Sequence, residues 1–153
     1  MPGNPFSSHK FKGNCALRYE LGIDIAEGNL VWVEGPYPAG EYSDITIFRH
    51  ALIHHLDPFE RVVADDGYVG EAPQKVKCPA TGLDSPEDCA EQSRVRSRHE
   101  TLNGRFKCWE ILRQTFRHDI MEHSAVFRAI AVVIQCAIDE GESLFRVNYN
   151  DVV

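Results

Sequence analysis

The sequence predicts a mixed α/β fold with at least three strands and three helices. Three observations carry this. Residues 17–25 alternate strictly, with Leu17, Tyr19, Leu21, Ile23 and Ile25 on one face, which is the period of a strand. Val95, Leu102, Phe106, Trp109, Leu112 and Phe116 recur at steps of three, four and seven, the spacing of one helix face. Residues 124–138 form a second apolar helical stretch, and Gly141 closes it.

The remaining elements follow in chain order. Residues 1–13 are polar, contain Gly and Pro, and read as an irregular segment. Glu27-Gly28-Asn29 is a turn, and residues 30–34 are a second strand, close enough to the first to form a hairpin. Residues 35–40 (Gly-Pro-Tyr-Pro-Ala-Gly) read as a loop. Ser43 or Asp44 caps a helix over residues 44–56, where Ile47, Phe48, Ala51, Leu52 and His55 keep helical spacing and Pro58 stops the run. Residues 61–65 are a short strand ended by the turn dipeptide Asp66-Gly67. Residues 70–92 read as a loop with little regular structure, the long helix spans residues 93–116, and residues 141–153 form a polar tail.

Composition narrows the class. A chain of 153 residues fits one domain, and 43% hydrophobic with 25% charged residues is globular usage. The longest apolar run covers residues 129–134 and stops at Gln135, short of the ~18 residues a membrane span needs, so no membrane partner is expected. The first ten residues have no hydrophobic core of a secretory signal. The net charge of −7 argues against a general nucleic-acid coat, because such binding rests on Lys and Arg neutralising phosphates. The five cysteines are odd in number and contain no C-x-x-C, which points to reduced thiols inside a cell rather than a disulfide frame or zinc site.

Two groups of residues carry chemistry. Val63-Ala64-Asp65-Asp66-Gly67-Tyr68 sets two carboxylates at a strand end, where a hard cation such as Mg²⁺ finds oxygen ligands; the same residues also make an ordinary strand-ending turn. Arg96, Glu100, Asn103 and Lys107, spaced four, three and four, form one polar stripe on the long helix; as a plain solvated face, Glu100 would pair with Arg96. His54 and His55 are adjacent and face about 100° apart, so they do not readily share a metal. His118 and His123 lie near a helix junction without a zinc-type spacing, and Cys108 reads as packing beside Trp109.

Taken together, Ala64-Asp65-Asp66-Gly67-Tyr68 followed by Arg96, Glu100 and Lys107 resembles the catalytic core of DDE transposases. The likeness is to PIF/Harbinger-type DDE endonucleases and related bacterial insertion-sequence transposases. In that family a strand ends in A-D-x-G-Y, whose Asp is the second catalytic acid, and a later helix carries R-(3)-E-(6)-K, whose Glu is the third. Asp65 and Glu100 match these acids, with 34 residues between them, and Arg96 and Lys107 match the basic members. Residues 35–48, with Asp44, resemble the family's loop-to-helix stretch before the second acid. The likeness runs from about residue 9 to 140, so residues 14–140 form the expected domain.

The resemblance implies a ribonuclease-H-like mixed sheet with flanking helices. It implies a site of three acids with two Mg²⁺ or Mn²⁺ ions, in which Asp65 and Glu100 are catalytic and metal-binding carboxylates. Arg96 and Lys107 would meet DNA phosphates, the location would be intracellular, and nuclear in a eukaryote. Met1-Pro-Gly-Asn-Pro stands where the family's first strand and first Asp would end, so the expectation is a truncated, transposase-derived domain lacking that strand and largely inactive. Asp24, on the other face of its strand, is a poor replacement, and Asp44 reads as a helix cap. Ser93 stands where the family often has Tyr, and no upstream helix-turn-helix segment is legible. The alternative is a non-catalytic transposase-derived interaction or DNA-binding module, in which an exposed sheet edge pairs with a protein partner or a second copy.

Overall fold

The computed structural model describes residues 4–7, 15–81 and 85–147. Most of the expected irregular N-terminal segment, and the last part of the expected polar tail, lie outside the described residues. The described chain is mixed α/β and divides into two compact units. The first comprises residues 1–20 and 34–84, the second residues 21–33 and 85–153.

Strands β1 (Leu17–Ile23) and β2 (Leu30–Pro38) form a two-stranded sheet. Their six-residue connection is too short for a parallel crossover, so the pair is an antiparallel hairpin. β2 runs four residues further than the sequence suggests, through Gly35-Pro-Tyr-Pro38. Prolines suit an extended edge, and Gly35, at φ +125°, lies against the Arg18 carbonyl and Tyr19 where no side chain fits. The alternation of β1 is also only half the account. The fully buried residue of this strand is Glu20, on the face opposite Leu21 and Ile23.

In the first unit, α1 (Asp44–His50) is shorter than the expected 44–56 helix. Ser43 caps it through the Thr46 amide, and the chain tightens at Ala51 into a 3₁₀ turn, Leu52–His54, before Pro58 is reached. β3 (Val62–Val63) pairs in parallel with β4 (Val76–Lys77), with Val62 opposite Val76. β4 lies inside the stretch read as loop; a two-residue strand leaves no period to detect. Among the described residues there are thus two separate two-stranded sheets in place of the single mixed sheet expected. Phe48, Val76 and Cys78 form the core of this unit, and the Tyr68 ring meets Phe48 edge-on at 5.7 Å.

In the second unit, α2 (Pro86–Lys107) begins seven residues before the expected start and ends nine before the expected finish. The start was written in Ser85-Pro86-Glu87-Asp88, a capping box with Pro at the first helical position. The chain breaks at Cys108 and resumes as the single turn α3 (Glu110–Arg113), so Trp109 stands partly exposed rather than on a continuous buried face. α2 buries Val95, Leu102 and Phe106, together with Gln92 and Arg98. α4 (His123–Asp139) buries Phe127, Ile130, Ala131, Ile134 and Ile138, and Phe127 stacks on Phe106 at 4.8 Å. Leu144 and Val147, in the stretch read as a polar tail, are buried as well. The helical stretch Ile120–Asp139 is by length and composition apolar enough to cross a membrane, although Gln135 interrupts its apolar run.

Candidate carboxylate site and its surroundings

Asp65 follows β3 and caps the 3₁₀ helix Asp66–Glu71. Its Oδ1 accepts from the Gly67 amide at 2.9 Å, and the residue is exposed. The strand end thus holds one carboxylate oxygen in place by a backbone donor and leaves the other toward solvent. Asp66, beside it, is already committed: its Oδ1 accepts from the Ala80 amide at 2.9 Å.

The carboxylate that faces Asp65 within this unit is Asp44. A methyl group placed on Gly67 would stand 2.8 Å from Asp65 Oδ1 and 3.7 Å from Asp44 Oδ2, so the two acids converge over a residue that has no side chain. Asp44 is not the helix cap, a role that Ser43 takes; it is the first helical residue, and its Oδ1 accepts from Arg18 Nη1 at 2.7 Å. Around them lie two groups that periodicity alone did not single out. Glu20 is buried, and the Tyr68 hydroxyl donates to its Oε1 at 3.4 Å. Burial first, then the charges of Glu20, Asp44 and Asp65, hold the Tyr68 phenol far above its ordinary range, so it stays a proton donor. The one signal for Arg18 and Glu20 in the sequence was charge on the supposedly outward face of a strand.

The helix stripe belongs to the second unit. Glu100 is exposed and makes no ion pair among the described residues; the pairing with Arg96 that a plain surface stripe would show is not formed. Arg96 Nε donates to the Gln92 carbonyl at 3.4 Å, and Lys107 is exposed in the last turn. Asn103 turns away from the stripe toward His99, with Nδ2 3.4 Å from His99 Nδ1. His99 Nε2 lies 2.9 Å from the Leu21 carbonyl. That carbonyl can only accept, so Nε2 carries the proton and Nδ1 accepts from Asn103. α2 is tied to β1 directly beside Glu100.

Next to it, Arg98 is fully buried under the hairpin turn. Its Nη2 donates to the carbonyls of Asp24 and Ile25, while Nε and Nη1 find no partner among the described residues. Gly28, at φ +84°, makes room for this guanidinium. Asp24 completes the turn by accepting from the amides of Glu27 and Asn29 at 2.6 and 2.8 Å, so both its carboxylate oxygens are engaged in the turn.

Other candidates are placed as follows. A cavity of about 210 Å³ in the second unit lies along Glu110 to His118, and Asp65, Asp44 and Glu100 do not line it. His118 and His123 both set their rings against Phe116, at 5.5 and 4.8 Å. Cys108, expected to be packed, is exposed because the helix ends there. Among the described residues, no three His, Cys, Asp or Glu side chains group as a metal cluster.

The donor chemistry at Asp65 fits one divalent ion. Mg²⁺ takes oxygen ligands, commonly one or two carboxylates with water filling the rest, and Asp65 and Asp44 offer such a pair. A site for two ions needs more acids than this pair supplies.

The described chain is thus mixed α/β, with an exposed acid at a strand end in the first unit and another along a helix in the second. The family model described as DDE superfamily endonuclease matches residues 3–135. That is well over half of the chain, and the chain belongs to the DDE superfamily of endonucleases. Members of this family in general act on DNA and use divalent metals. Comparison with curated proteins and with solved structures gives no match.

Proposed function

We propose that this chain is a transposase-derived DDE endonuclease domain in which Asp65 and Glu100 serve as metal-binding carboxylates, and Arg96 and Lys107 contact DNA phosphates. The observation that carries the reading is Asp65, set at the end of β3, pinned through one oxygen by the Gly67 amide and faced by Asp44. Asp44 adds a carboxylate that the motif comparison left as a cap. A divalent ion bound there supplies Lewis acidity at a phosphodiester oxygen and lowers the pKa of bound water. The residues' own part is to orient: Asp65 is fixed by its cap, Asp44 by Arg18, and Glu100 by the His99 tie of α2 to β1. With two motif acids rather than three, metal binding is weak and cleavage by these 153 residues alone is slight. The place of action is inside the cell, in the nucleus of a eukaryote.

The test is thermal unfolding with and without Mn²⁺, followed by nicking of supercoiled plasmid. A ligand of the native state at about a hundredfold excess over Kd adds about 2.7 kcal/mol. The expected result is a Tm rise with Mn²⁺ that Asp65→Asn and Glu100→Ala each reduce. A transition unmoved by metal, with no nicking, sinks the metal reading. It would favour the second reading, a non-catalytic transposase-derived interaction module. What supports that reading is the two-stranded β1–β2 sheet, whose outer edges have no further strand among the described residues.

A further inference from the structure

α4 is a long apolar helix that buries only one side. Ala125, Ala129, Val132 and Cys136 recur at steps of four, three and four along its outer face, and all are exposed. Val132 is 62% and Val133 50% exposed, and Met121, just before the helix, is 80% exposed. Within the apolar stretch Ile120–Asp139 only Phe127, Ile130, Ala131, Ile134 and Ile138 are buried. Scattered surface valines need no explanation, but a single apolar stripe over residues 125–136, about 18 Å long, offers a docking face.

The charges on its margins say what docks. Arg128 and Asp139 are eleven residues apart, close to three full turns, so they lie on the same edge of the stripe. A two-fold axis crossing near Val133 lays a second α4 antiparallel on the first. It carries Arg128 opposite the partner's Asp139, and Asp139 opposite the partner's Arg128. The stripe is therefore self-complementary in charge, as an isologous interface requires. Between these pairs Val132 of each copy meets Cys136 of the other near the axis, and the small Ala129 allows close approach. Both edge groups have capacity for the contact. Arg128 uses Nη1 on the Val33 carbonyl, and Asp139 uses Oδ1 on Gln135.

We infer that this chain associates with a second copy of itself through the exposed face of α4, antiparallel, with reciprocal Arg128–Asp139 pairs. A lipid surface is disfavoured on the same observations. The face carries one arginine against Asp139 and Glu140 on a chain of net charge −7, whereas interfacial helices are rich in Lys and Arg. Spanning a bilayer would also strip Phe127 from its stack on Phe106 and expose Ile130, Ile134 and Ile138. One helix face buries less than the ~800 Å² per partner of a standard interface, so the dimer is weak and visible only at raised concentration.

Sedimentation of the whole chain, kept reduced so that Cys136 cannot cross-link, tests this. The expected result is an average mass that climbs from 17.3 kDa toward the dimer as concentration rises. Val132→Glu, on an exposed position, abolishes the climb while circular dichroism and Tm stay near wild type. Arg128→Asp and Asp139→Arg singly weaken association by about tenfold, and the double reversal restores it. A chain that stays monomeric throughout overturns the inference, and so does a dimer indifferent to Val132→Glu or to the charge reversals. Co-sedimentation of monomer with phosphatidylserine vesicles, lost in Val132→Glu, overturns it in favour of a lipid surface.

Discussion

Gly67 is where two acids meet because nothing else occupies the space. A methyl group there would press on Asp65 Oδ1 at 2.8 Å, and the carboxylate, being the free end of a side chain, would swing away. Gly67→Ala should therefore cost only about the 1 kcal/mol of a lost cap while sharply reducing the Tm rise with Mn²⁺. At the buried Arg98 the balance differs, because its removal leaves a cavity and two turn carbonyls without their donor. Arg98→Ala should lower unfolding free energy by roughly 3 kcal/mol in denaturant titration. His123 is half-buried. Burial, partly opposed by a backbone hydrogen bond, holds its pKa below the ordinary value. The folded state then binds fewer protons than the unfolded one, so stability rises with pH through the window below ~6.5 and falls on acidification. An NMR titration should place His123 below the ordinary value of a free histidine, and His123→Phe should flatten the acid limb of the stability curve.

At the level of elements, local chemistry decides starts more clearly than ends. The α2 start rests on Ser85 and Asp88 capping each other's amides, so Ser85→Ala should cost about 1 kcal/mol and speed hydrogen exchange in the first turn of α2. The break at Cys108, by contrast, has no Gly or Pro to announce it, and the apolar spacing of Trp109, Leu112 and Phe116 continued as though the helix did. The hairpin was legible because strict alternation admits no helix. Its turn is held by groups from far along the chain. Gln135 Oε1 accepts from the Leu30 amide at 2.7 Å, and Gln135 Nε2 reaches Asn29 at 3.1 Å. Such partners follow from packing, and no local pattern contains them.

For the whole molecule, the charge balance limits how it meets DNA. Each phosphate neutralised changes log K against log salt by about −0.9, so the proposed contacts from Arg96 and Lys107 would give a shallow slope near −1.8. Fluorescence anisotropy across a salt series should find weak binding with that slope, and Lys107→Ala should reduce its magnitude by about one. A steep slope would reveal a basic surface elsewhere. The family was legible in the order and spacing of Asp65, Arg96, Glu100 and Lys107, since these are matters of residue type and separation along the chain. Asp44 was read as a cap because its neighbour Ser43 and the following helix make capping the default for either residue.

The sequence by itself determined the family, the alternating hairpin, the presence of two long helices and the acids at the end of β3 and on α2. These depend on residue type and short-range spacing, which a linear reading contains. Tertiary structure alone decided that Glu20 is buried, that Asp44 rather than Asp66 faces Asp65, that Arg98 lies under a turn, and that one side of α4 stays uncovered. Each of those follows from which surfaces meet, and the free energy of burying or exposing a side chain is fixed by neighbours distant in the chain.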